Sequence, residues 1–324
     1  VFSAAVAHEA MPWPEAARPS SRQMLACAQF SRYADPRLAG HGALPQDGQP
    51  WLPLSELLQT MLESGRLQLP WLEPTGFSDL RFAAPLPLPE AVTRECRITA
   101  RSQSWLLQDG VMTRMCHVRL QSRDLAPNLR RINHFSPLAR GMVFLAAAAG
   151  SLPPLWDGEM TVTGPDLPLK DFYAGCGMAE GWRLLEELAP AGDDLWQGRF
   201  DGMAQGIAPA GKSGYCSLLS AVDAILQAAC RIMEETVPGA ELAGGRLLWP
   251  QGWRLSGIGF IRFADAGLLC GARMPWHIQL RRGWDDERLQ RYDAQVVDAD
   301  GRVLLTLHQM EFEKDVRPQE GAGA

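Results

Sequence analysis

The 324-residue chain has no excess of cations: 31 Lys and Arg stand against 37 Asp and Glu, a net charge of -6. That sign argues against a broad nucleic-acid or anionic-membrane surface, because both need clustered positive charge. Long hydrophobic runs are also missing. The longest, Met142 to Ala149, falls far short of the ~20 residues that cross a bilayer as a helix, so no membrane span is expected. The opening VFSAAVA has neither the cationic start nor the apolar core of a signal peptide. The chain begins at Val1 rather than Met, as a segment of something longer would. No C-x-x-C pair occurs among the seven scattered cysteines. An odd, dispersed set indicates neither a disulfide framework nor a zinc site, and it points to a reducing compartment with the cytoplasm as default.

What is present is the composition of a globular protein, with 46% hydrophobic and 21% charged residues, which excludes an intrinsically disordered chain. Two domains of ~150 residues, or one large unit, fit the length. Residues 1–50 read as irregular chain with short strands. Leu54, Leu57, Leu58, Met61 and Leu62 fall on one face at helical spacing, so Leu54 to Gly65 is expected to form a helix that starts after Pro53 and stops at the glycine. From Phe77 to Arg123 the pattern changes to near-alternation around Asp109-Gly110, an antiparallel hairpin. Residues 136–170, rich in Pro and Gly around an Ala run, read as a linker holding at most one short apolar element.

The second half repeats this logic. Glu180 to Pro190 is a short helix or strand. Cys216 to Glu235 is a helix apolar nearly all round, and therefore buried. Strand-like runs follow, with a hairpin turn at Asp298 to Gly301. A buried helix followed only by antiparallel strands thus occurs twice, and the simplest architecture is α+β, a sheet wrapped on a central helix and duplicated.

Three sites carry candidate chemistry. Gly206 to Ser213, GIAPAGKS, matches the phosphate-binding G-x-x-x-x-G-K-S pattern, but the strands around it are linked as hairpins, whereas a P-loop domain needs parallel strands and crossover helices. Asp223 lies among apolar neighbours inside the second helix. It is either a structural hydrogen-bonding group at a helix interface or, with its pKa raised by burial, a proton donor near neutral pH. Gln227 lies one turn further along the same face and is placed to bond that carboxyl group. His41, ahead of the first helix, is either an exposed loop residue or a general base with a pKa near ~6.5. The 11 Trp residues are scattered over strands, as core and groove lining.

These residues resemble the dehydratase domains of polyketide synthases, whose relatives occur in polyunsaturated fatty-acid and enediyne synthases. The family's H-x-x-x-G-x-x-x-x-P is matched by His41, Gly48 and Pro53, with six residues between His41 and Gly48 where the family has three. Its D-x-x-x-Q/H is matched by Asp223 and Gln227. The likeness runs over about residues 25–315. It implies a double hotdog fold, two antiparallel sheets each wrapped on a central helix, with halves at 1–136 and 171–324 joined by a linker at 137–170. It further implies a lyase that dehydrates a 3-hydroxyacyl thioester on an acyl carrier protein to a trans-2-enoyl thioester. His41 would be the base and Asp223 the acid, with Gln227 orienting Asp223. The Gly48 amide or the start of the first helix, after Pro53, would polarise the thioester carbonyl. The resemblance implies no metal and no cofactor beyond the carrier's phosphopantetheine, and as partners the carrier protein, neighbouring megasynthase domains and a second copy in a dimer. A double-bond-shifting or pyran-forming enzyme, or a non-catalytic scaffold domain, are the other readings on the same fold.

Overall fold

The computed structural model describes residues 2–5, 23–32, 35, 38, 40–41, 50–83, 86–108, 111–147, 150–156, 160–200, 215–236, 252–265 and 272–314. Its first part runs β1 (Phe2–Ala5), β2 (Gln23–Phe30), helix α1 (Leu54–Gln68), β3 (Glu73–Phe82), β4 (Thr93–Gln108), β5 (Val111–Leu125) and β6 (Ser136–Ala146). After a short helix α2 (Leu169–Gly175) and a 3-10 turn at Glu180–Trp182 come β7 (Leu185–Gly192), β8 (Leu195–Phe200) and helix α3 (Tyr215–Thr236). The chain then closes with β9 (Trp253–Phe263), β10 (Trp276–Asp285), β11 (Leu289–Val297) and β12 (Val303–Lys314).

The strands join in one 12-stranded sheet in the order β1-β2-β4-β5-β6-β3-β9-β12-β11-β10-β8-β7. Each pairing is antiparallel. Read outward from the centre, both sides follow one plan. The first strand after the helix lies innermost, then the fourth, third and second, then the two strands that precede the helix. Alternation sets which side chains turn inward. On β5, Cys116, Val118 and Leu120 are buried beneath α1 while Arg119 between them is exposed.

One continuous sheet replaces the two separate sheets expected from the sequence. Left alone, β3 and β9 would be the inner edges of their halves, each with a row of unpaired N–H and C=O groups. They satisfy one another instead, Phe77 opposite Ile261 and Leu80 opposite Ile258, with Phe77 edge-on to Phe263 at 5.8 Å between ring centroids. Gly76 makes the approach possible. It has φ +154°, and a Cβ at that position would lie 2.0 Å from the Ile261 carbonyl oxygen. No side chain fits there.

Two further expectations are corrected. The stretch read as a linker from residue 137 opens with β6, which pairs with both β5 and β3; its run Val143 to Ala146 is buried on both faces and so lacks the alternation that marks a strand in the sequence. Helix α1 does not stop at Gly65 but continues to Gln68. That glycine is a packing residue, since a Cβ there would meet Val143 Cγ1 at 3.1 Å. The hairpin between β4 and β5 closes on the pair Gln108 and Val111, while Asp109-Gly110 themselves lie outside the described residues. Gly206 to Ser213 also lies outside them. No parallel strand pair of the kind a P-loop domain requires occurs among the described residues. No helix among the described residues is long and apolar enough to cross a membrane.

The joint between β3 and β9 generates a stability prediction. Gly76→Ala is expected to lower the unfolding free energy by about 2–4 kcal/mol in urea denaturation. Gly150→Ala, where a Cβ would meet nothing within 4 Å, is expected to stay within about 0.5 kcal/mol of the wild type.

Candidate active site

Helix α1 begins with an unsolved problem in its own sequence. Its first N–H groups have no intrahelical acceptor, and the N-cap position is Pro53, which offers no side-chain hydrogen bond. The acceptor comes from α3, 169 residues downstream. The Leu54 N–H donates to Oδ1 of Asp223 at 3.0 Å. The Ser55 N–H donates to Oδ2 at 3.2 Å, and the Ser55 hydroxyl donates to the same oxygen. The carboxyl group therefore stands at the positive end of the α1 dipole, where negative charge is favoured. Asp223 is 1% exposed. Burial pushes its pKa up to about 7; the hydrogen bonds from Ser55 and Leu54 pull the other way, and Glu56 adds a smaller upward push. At neutral pH the group is divided between acid and carboxylate.

Gln227 does not orient Asp223, as the shared helix face suggested it would. Its amide belongs to the segment leading into β7. Nε2 donates to the Trp182 carbonyl at 2.9 Å, and Oε1 accepts from the Leu184 N–H at 3.2 Å and from the Tyr173 hydroxyl at 3.0 Å. The Tyr173 oxygen in turn accepts from the Leu185 N–H at 3.0 Å. An unpaired amide in so apolar a helix would cost ~1–3 kcal/mol, and this network satisfies it.

His41 is where these two anchors meet. Its ring is 5.0 Å from the Trp51 ring and edge-on to Trp182 at 4.7 Å. Trp51 immediately precedes the segment that Asp223 holds, and Trp182 is the residue that Gln227 holds. Gly40 fastens the histidine to the same wall. Its carbonyl accepts the Ala179 N–H at 2.9 Å, and a Cβ on it would come within 2.6 Å of the Ala179 Cβ. The sequence left open an exposed loop position for His41, but the side chain is buried, 1% exposed. Burial lowers its pKa to about 3, only partly opposed by a hydrogen bond to the Trp51 backbone. The imidazole is neutral at pH 7. Its Nδ1 is buried and has no side-chain or backbone hydrogen-bond partner.

Both titratable groups thus border the short segment Trp51 to Ser55. The three residue steps from Trp51 to Leu54 span at most about 11 Å. Pro53 sits within it as the N-cap of α1. Gly48 lies outside the described residues. The first N–H groups of α1, expected to polarise a thioester carbonyl, are occupied by the Asp223 carboxyl group instead. Sequence reasoning passed over Trp51, Trp182, Tyr173 and Ser55. Only Ser55 carried a signal, a hydroxyl in the first turn of a helix whose cap is a proline.

The two groups act oppositely on stability. In the folded state Asp223 holds a proton that the unfolded chain releases near pH 4, so its contribution falls as pH rises towards about 7. His41 refuses a proton that the unfolded chain takes up below ~6.5, so its contribution falls as pH drops towards about 3. Between about pH 4 and 6.5 the slopes cancel. His41→Phe removes one of them. The wild type is expected to lose about 1.4 kcal/mol per pH unit relative to this variant on acidification from pH 6 to 4, measured by denaturant unfolding at each pH.

No protein-family profile matches the chain, and no curated protein matches it. Solved structures do. The dehydratase domain from the CurJ module of curacin polyketide synthase superposes with a TM-score of 0.62 at 14% identity, covering 92% of this chain and 93% of that one. The dehydratase domain of RzxB from Pseudomonas fluorescens gives 0.60 at 13%, covering 90% and 94%. An isomerase-inactive variant of the first GphF dehydratase gives 0.60 at 17%, covering 94% and 96%. Over more than nine-tenths of its length, the chain has the fold of polyketide synthase dehydratase domains.

Proposed function

We propose that the chain removes water from a 3-hydroxyacyl thioester carried on the phosphopantetheine of an acyl carrier protein, giving a trans-2-enoyl thioester in a polyketide or fatty-acid type megasynthase. The observation that carries this reading is the pairing of a neutral imidazole with a half-protonated carboxyl group at one short segment. The neutral His41 imidazole takes the proton α to the thioester carbonyl. The electron pair forms the new carbon–carbon double bond as the β C–O bond breaks, and the Asp223 proton leaves with the hydroxyl group as water. Each group must be in its uncharged form to begin, and burial favours that form in both. The fold supports the same reading, since the structural neighbours are dehydratase domains.

In this reading the molecule is a double hotdog whose two parts share one sheet, with the part that ends in β6 supplying the base and residues 171–324 the acid. It works in the cytoplasm as a homodimer beside other megasynthase domains. It has no metal and no cofactor apart from the arm of the carrier protein. A double-bond shift is the second reading. It uses the same acid and base, and one neighbour is described as an isomerase-inactive variant.

Incubation with 3-hydroxyacyl carrier-protein thioesters of several chain lengths and both configurations, followed by mass spectrometry, tests the proposal. Loss of water by the wild type is expected. Loss of at least about 100-fold in rate is expected for His41→Ala and for Asp223→Asn. The wild-type kcat/KM is expected to fall as pH rises through about 7, where Asp223 gives up its proton. No water loss, together with migration of the double bond in supplied enoyl thioesters, favours the isomerase. No conversion of either substrate leaves Asp223 as a structural cap and the chain as a scaffold.

A further inference from the structure

The three hydrogen bonds to Asp223 are not shared evenly between its oxygens. Oδ2 accepts two, from the Ser55 N–H and the Ser55 hydroxyl. Oδ1 accepts one, from the Leu54 N–H. A carboxyl oxygen has two lone-pair sites, so Oδ2 is filled and Oδ1 keeps one free. Ser55 is itself buried and lies in the first turn of α1, so its N–H is fixed by the helix backbone and its hydroxyl lies beside the same carboxyl oxygen. On α1 the charged group acting on Asp223 is Glu56, which favours the protonated form; the neighbouring residues of α3 are uncharged.

We infer that Ser55 is a positioning residue for the proton donor: it commits Oδ2 to accepting hydrogen bonds and leaves Oδ1 to carry the proton that is transferred. This rests on the proposed role of Asp223 as the acid. As the proton leaves Oδ1, negative charge develops on a carboxylate whose three donors are already in place, so nothing has to reorganise around it. The Ser55 hydroxyl therefore lowers the proton affinity of a group that burial raises, and keeps Asp223 acidic enough to give its proton up near neutral pH.

The test reads the Asp223 carboxyl group directly, by carboxyl-carbon NMR of protein labelled at aspartate, with Asp223→Asn assigning the signal. In Ser55→Ala the Asp223 titration midpoint is expected to rise by about one pH unit. The alkaline limb of kcat should move by the same amount. kcat below that limb should fall about threefold, with KM within about twofold of the wild type. Ser55→Thr, which restores the hydroxyl, should return midpoint and limb to their wild-type positions. A folded Ser55→Ala protein whose midpoint does not move overturns the inference and leaves Ser55 as a helix-capping residue only. Should Ser55→Ala fail to fold, Ser55→Cys, with its weak S–H donor, is titrated in its place; an upward shift sustains the inference and an unmoved midpoint overturns it. A shifted midpoint in a protein that dehydrates no substrate sustains the hold of Ser55 on Asp223 and removes the dehydration reading.

Discussion

The carboxyl group of Asp223 at the start of α1 is the contact on which the rest of the centre depends. Helix α1 opens with a proline and cannot cap itself, and α3 places an acid among apolar residues that cannot satisfy it. Each deficiency is the remedy for the other. Because the two residues lie 169 positions apart, the contact also ties the start of α1 to α3. The strand order on either side of the β3–β9 joint extends that arrangement into a single sheet. A buried carboxyl group without donors would cost several kcal/mol; with three donors it becomes a fastener between the two parts of the chain.

One turn further along α3, Gln227 performs the same service for the wall opposite. Asp223 holds the segment behind Trp51, Gln227 holds Trp182, and the two tryptophans close on His41. A single helix thus positions both sides of the histidine through side chains four residues apart. Burial, rather than a neighbouring charge, then sets both proton affinities. It removes charge from an imidazole and from a carboxyl group alike, driving their pKa values in opposite directions. The result is an unprotonated imidazole and a partly protonated carboxyl group near neutrality, and a pH dependence of stability in which their contributions oppose each other.

A good part of this was legible in the sequence. Helical spacing located α1 and α3, alternation located the hairpins β4–β5 and β11–β12, and the repeated order of helix and strands announced the duplication. Asp223 stood out because a carboxyl group among so many apolar residues demands a partner or a purpose. The end of α1 was misread because a glycine that stops a helix and a glycine that admits a neighbouring strand look the same in one dimension; Val143 decides which Gly65 is. The linker was misread for a similar reason, since β6 is a strand by virtue of the two strands that pair with it.

By itself the sequence determined the helices, the antiparallel strands and their repeated order, and it singled out Asp223, because periodicity and the isolation of a charge are local properties of the chain. Only the tertiary structure decided that one sheet forms instead of two, that His41 is buried between Trp51 and Trp182, and that Asp223 turns to Leu54 and Ser55 while Gln227 turns to Trp182, Leu184 and Tyr173. Those outcomes depend on which donors and acceptors meet across more than a hundred residues. Hydrogen bonds and desolvation act through space, and nothing in the spacing of residues along a chain records what will lie opposite them.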